Sequence, residues 1–183
     1  MRILSALFVI SALSGAAACG PARPSSDSSV SKLPVWEGRS AELFNDSLDP
    51  AVLGLTMETP IYRGDLLFRE RCKAAETVAR MRITTVTEGT NDGKKTIVLG
   101  FSTVERLAGA APPPALEASF RAGSPSFGLI ERTQSKLRGK AVVVAWRAFR
   151  QDGDAVTHVF VAPDEPEVVS AVHENVALEE LSK

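Results

Sequence analysis

The side chains of the kinds that do chemistry are so spaced in this sequence that they suit little of it. There are two histidines, His158 and His173. A metal centre built on them needs a third ligand from elsewhere, such as Asp164 or Glu174. The close His/Cys/carboxylate spacings of zinc motifs are missing, so no metal set is assigned. Val156, His158 and Phe160 alternate along one strand face, which favours a packed histidine over a ligand.

Ser124 and Ser126 lie in Gly123-Ser124-Pro125-Ser126-Phe127-Gly128. A nucleophile elbow needs G-x-S-x-G, and this string lacks that spacing. Pro125 is better read as helix initiation, with serine as the cap. No Lys-Ser/Thr pair follows the glycines, so they do not form a phosphate loop. Cys72 stands among Arg69, Arg71 and Lys73. Close cations lower a thiol pKa and make a nucleophile. The same offsets are ordinary on a helix surface, and a lone thiol reads as a small core hydrophobe. A disulfide to Cys19 is the other option and requires Cys19 to be unmodified.

Strand alternation puts Arg80 with Arg82, and Arg147 and Arg150 on opposite faces. Such arginines are either solvated and ion-paired or part of a patch for carboxylate or phosphate groups. Arg80, Arg82, Trp146 and Arg147 are the binding-patch candidates. No catalytic or cofactor-binding set emerges, and the reading leans away from an enzyme.

These side chains must be held by elements the sequence marks unevenly. Thr77 to Thr87 alternates, with Ala79, Met81 and Ile83 on one side and Arg80, Arg82 and Thr84 on the other, as in a strand with one wet face. Asn91-Asp92-Gly93 turns it into a partner strand, Thr96 to Val104. Lys140 to Arg150 carries Val142-Val143-Val144-Ala145-Trp146, apolar on both faces and therefore central. Asp152-Gly153-Asp154 turns it into Ala155 to Ala162. Leu116 to Phe120 reads as a short fifth strand.

Ser40 is expected to cap a short helix, Ala41 to Asn45. Asp65 is the expected cap of Leu66 to Ala74, read as a helix in preference to an irregular strand. Phe127 to Leu137 is predicted helical and ended by Gly139. Asp164-Glu165-Pro166-Glu167 opens the last helix with acids at its positive end. Runs of paired strands joined to separate helices give an α+β fold. The expected sheet is mostly antiparallel, of four to five strands in two hairpins, with two to three helices packed on it.

The first nineteen residues carry the clearest signal. Arg2 leads an apolar run from Ile3 to Leu13, followed by Ser14-Gly15-Ala16-Ala17-Ala18 and then Cys19. This is the layout of a secretory signal, and the apolar run is too short for a permanent membrane span. The Cys after small residues resembles the lipobox of bacterial lipoproteins. The resemblance implies cleavage between Ala18 and Cys19 and a diacylglycerol on the Cys19 thiol. Ala16 departs from it, because Leu is usual there, and Ala16-Ala17-Ala18 also fits an A-x-A site of the ordinary secretory peptidase. Two or more acyl chains make a stable anchor where one is marginal. Gly20 after the Cys favours the outer over the inner membrane. The alternative is a soluble, secreted or periplasmic chain.

The organisation that follows is a signal peptide over 1–18, a lipidated Cys and flexible tether over 19–32, and one α+β domain over 33–183. The tether is too polar to bury a core, and as a coil it reaches about 20 Å. Net charge is −1, and −2 once Arg2 leaves with a leader that holds no acid. A balance this close to zero gives no electrostatic case for nucleic acid. The leading expectation is a lipid-anchored, non-enzymatic envelope protein that binds a protein or envelope component. A small envelope hydrolase and a small-ligand-binding module are the rivals. No cofactor is implied.

Overall fold

The computed structural model describes residues 30–55, 61–91 and 93–182. The leader, Cys19 and the tether up to residue 29 lie outside the described residues, and so do the expectations that fall on them. In chain order the elements are α1 (Arg39–Leu43), β1 (Ser47–Leu48), a 3₁₀ turn (Pro50–Leu53), α2 (Leu66–Ala74), β2 (Thr77–Asn91), β3 (Lys94–Gly109), β4 (Ala115–Arg121), α3 (Phe127–Leu137), β5 (Ala141–Gln151), β6 (Asp154–Pro163) and α4 (Pro166–Leu181). The class is α+β. Among the described residues the sheet has six strands in the order β1-β6-β5-β2-β3-β4, against four to five expected, and four α-helices form, against two to three expected on the sheet.

The extra strand has a physical reason. β1 is two residues long and has no local pattern. It exists because Ser47 and Leu48 pair in parallel with Phe160 and Val161 of β6. The helix after Gly38 also starts earlier than expected. Gly38, at φ 52°, is the N-cap, so Ser40 lies inside the first turn. Asp65 caps α2 as its side chain predicts, accepting from the Leu67 amide at 2.9 Å. Ser126 occupies the N-cap position of α3 but makes no capping bond. Its Oγ instead accepts from Leu48 N at 2.7 Å and donates to Leu48 O at 3.1 Å. The hydroxyl that would have capped the helix ties it to the sheet edge.

β5 is central, as its two apolar faces require. Val142, Val144 and Trp146 join one core with Met81, Ile83, Leu99, Phe101 and Phe120, covered by Ile130 and Leu137 of α3. Val143, Ala145 and Phe149 join a second core on the opposite face, with Phe44, Phe68, Val168 and Val172 brought by α1, α2 and α4. Arg71 is buried in this second layer. Its Nε donates to Leu43 O at 2.8 Å, and its guanidinium lies 3.9 Å over the Phe160 ring.

The sheet curls, and β2 is the cause. Its register against β3 shifts between Val78 and Ala79, between Arg80 and Met81, and between Ile83 and Thr85. Each irregularity bends the strand and adds twist. Gly100, which faces Thr85, lets the two strands close up, because a Cβ there would run into Thr85 Oγ1. The curl brings the outer strands β4 and β6 into contact, yet no ladder joins them. Four successive antiparallel pairings leave β4 and β6 pointing the same way. The curled sheet is left open at a seam between these two edges, which run parallel.

Candidate functional site

A cavity of about 520 Å³ occupies the seam. That lies within the usual range for small-molecule sites. β4 supplies one wall through Glu117, Ser119 and Arg121, and the start of β6 supplies another through Val156, Thr157 and His158. The segment leading into β1 and the Gly123–Pro125 turn before α3 close the ends.

His158 is the best-held side chain of the site. It is 4 % exposed. The Trp36 indole stacks on its ring at 4.0 Å between centroids, with the planes 3° apart. Asp46 Oδ2 meets Nδ1 at 2.8 Å, and the Gln151 side-chain amide meets Nε2 at 3.2 Å. The other Asp46 oxygen accepts from the Val159 amide at 3.1 Å. Asp46 adopts φ 52°, a left-handed conformation that Asp tolerates better than most residues. That kink aims both oxygens at β6. Trp36 is fixed in turn by its Nε1, which donates to Phe44 O at 2.8 Å. A stacked ring, a carboxylate and an amide thus hold the imidazole in one orientation as a wall of the cavity.

Two polar atoms at the same cavity have no partner. Asn45 Oδ1 and Ser124 Oγ are buried and make no hydrogen bond among the described residues; both residues border the space, but neither atom is open to it. Leaving such a group unsatisfied costs about 1–3 kcal/mol, so each unpaired atom calls for an explanation. Ser124 also shares the cavity with the Asp46–His158 pair. A serine nucleophile needs a hydrogen bond to its base. Ser124 Oγ has none, and the His158 ring nitrogens meet Asp46 and Gln151. Ser124 and His158 are therefore not paired as nucleophile and base in this structure.

The four binding-patch candidates do not converge. Arg80 bridges Asp164 at 2.9 Å and Glu105 at 3.1 Å. Arg82 donates to Gly139 O at 2.9 Å, just beyond the end of α3. Arg147 donates to Ala74 O at 2.9 Å, at the end of α2. Trp146 is 5 % exposed and belongs to the inner core. His173 is exposed on α4, away from the seam cavity. Among the described residues no group of three or more His, Cys, Asp or Glu comes together. Cys72 packs into the outer core. Burial pushes its thiol up to about 12, outweighing a hydrogen bond to Asn175 and the Arg71 charge. The cations around it in sequence do not activate it.

Sequence reasoning reached His158 and Ser124 but not Trp36, Asn45, Asp46, Glu117, Arg121 or Gln151. Only the face shared by Val156, His158 and Phe160 was a usable signal. The rest is assembled by contacts between residues far apart in the chain. No protein-family model, no curated protein and no solved structure matches this chain.

Proposed function

We propose that this protein is an envelope lipoprotein, held to a membrane through Cys19, whose α+β domain binds a small ligand in the seam cavity. Outer-membrane placement is favoured by Gly20. The observation that carries the binding reading is the seam cavity of about 520 Å³ itself, walled by the stacked Trp36–His158 pair and bordered by the polar side chains of Glu117, Ser119 and Arg121. Trp36 and Val156 supply apolar contact beside them. This arrangement favours the small-ligand reading over a protein partner docked on an open sheet face, because the central strand is covered on both sides.

Two experiments test the two halves separately. Wild type is expected in the membrane fraction and Cys19→Ser in the soluble one, and equal solubility of both removes the anchor. For the cavity, the Cys19→Ser protein is screened against a small-fragment library by two-dimensional NMR. Shift changes are expected at the Trp36 indole, Ser119 and Ser124, and Ser124→Leu should abolish them. Fragment binding confined to other surfaces would overturn the cavity reading.

A further inference from the structure

The register of the sheet says which main-chain groups face the cavity. Ala122 N donates to Lys95 O and Thr103 N to Pro114 O. With the pairing of Ile97 to Phe120 and Leu99 to Ala118, the even-numbered residues of β4 bond to β3. Glu117, Ser119 and Arg121 therefore turn their N–H and C=O groups to the free edge, and these same residues line the cavity. Among the described residues only Arg121 O of these groups is taken, by Ser124 N at 2.9 Å.

β6 shows the same pattern across the seam. Val159 N bonds outward to Asp46 and Val161 O outward to Asp49 N, so Ala155 and Thr157 also face the free edge. β1 covers this edge only at Phe160 and Val161. Because β4 and β6 point the same way, a chain lying antiparallel to one is antiparallel to both. The cavity is thus bounded by two rows of unpaired backbone groups at the two-residue period of a strand.

We propose that the ligand is an extended peptide segment, added to β4 as an antiparallel strand, with an acidic side chain against Arg121 and a basic one against Glu117. The proposal rests on the seam cavity being the binding site. Strand addition draws affinity from main-chain hydrogen bonds and specificity from alternate side chains. Glu117 and Arg121 have no ion-pair partner among the described residues, whereas Arg80 and Lys95 each bridge two carboxylates. Charges on an edge strand also deter unwanted pairing. This edge differs from a merely guarded one because it fronts a cavity of about 520 Å³.

The test uses the Cys19→Ser protein and a capped pentapeptide of order glutamate, valine, threonine, valine, lysine. Two relatives of it are N-methylated, one on the amides facing β4 and one on the opposite amides. Binding is followed by NMR shifts and by hydrogen exchange. The unmodified peptide should shift Trp36 and protect the Glu117 and Ser119 amides. Methylation of the facing amides should abolish binding, and methylation of the others should leave more of it. Arg121→Glu should weaken binding by roughly three- to tenfold, and reversing the peptide's charges should restore part of the loss in Glu117→Arg/Arg121→Glu.

Peptide binding at the cavity that ignores N-methylation overturns strand addition and keeps the cavity. So does a cavity that takes fragments but none of the peptides. A cavity that responds to neither fragments nor peptides removes both readings.

Discussion

The centre of the sheet and its seam obey opposite rules. Around β5 the two faces are closed. Val142, Val143 and Val144 are at most 1 % exposed, and the arginines nearby are bound to carboxylates or to carbonyls at helix ends. At the seam, strand edges lie unpaired, two buried polar atoms lack partners, and an aspartate holds a positive φ. Strain and unmet hydrogen-bonding capacity collect where proteins bind rather than where they are stabilised. The contrast puts stability in the β5 region and the proposed binding in the β4–β6 gap, although both belong to one sheet.

The largest effect should come from breaking the closed side. Trp146→Ala removes a ring that packs in the inner core with Val144 and Val159. Truncations of this kind cost about 3–5 kcal/mol, a large share of the 5–15 kcal/mol typical of a domain. Urea unfolding should show a large fall in midpoint. A variant of near-normal stability would mean that the closed and open regions are not distinguished in this way.

Asp46→Ala stands at the border between the two regions. It strips His158 Nδ1 and the Val159 amide of their acceptor and leaves a residue less tolerant of φ 52°. The expected loss is about 1–3 kcal/mol. Loosening of the Trp36–His158 stack should appear as a change in Trp36 emission. Stability loss without any change at Trp36 would separate the Asp46 contact from the cavity wall.

Ser124→Ala should move stability the other way. Its hydroxyl is buried and unpartnered, so its removal is expected to raise stability by about 1 kcal/mol. A destabilised Ser124→Ala would show that the hydroxyl supports the fold, and the contrast between the regions would lose its sharpest instance.

How much of this was legible in the sequence follows the same division. The central elements were readable because their signals are local: alternation in β2, the all-apolar run of β5, and two-residue turns between the hairpin strands. Asp65 announced α2 by its own side chain. The seam was not readable, because nothing near Asp46 in sequence points to His158, which is 112 residues away. The two-residue β1 has no pattern, and the Ser126 hydroxyl looked like a cap because its alternative partner, Leu48, is 78 residues distant. Six strands form where four to five were expected because an edge can recruit a dipeptide that carries no strand signal of its own.

The smallest effect at neutral pH concerns the outer layer of the closed region. Burial raises the Cys72 thiol from its ordinary 9.0 to about 12. Burial and the hydrogen bond to Asp49 also raise the Tyr62 phenol. Each is an acid that the folded state keeps protonated after the unfolded chain has begun to ionise. Between about pH 9 and 12 the folded state therefore binds more protons than the unfolded one, and stability falls as pH rises. The steepest slope from one such group is about 1.4 kcal/mol per pH unit. Below pH 9 neither group contributes a pH dependence. In the Cys19→Ser protein, where Cys72 is the remaining thiol, Cys72→Ala should flatten part of this alkaline fall and change little at pH 7. Native Cys72 should also resist alkylation at pH 8 and react once urea unfolds the chain. Rapid native alkylation would place the thiol outside the core and move the boundary between the closed and open regions onto the α2 side of the sheet.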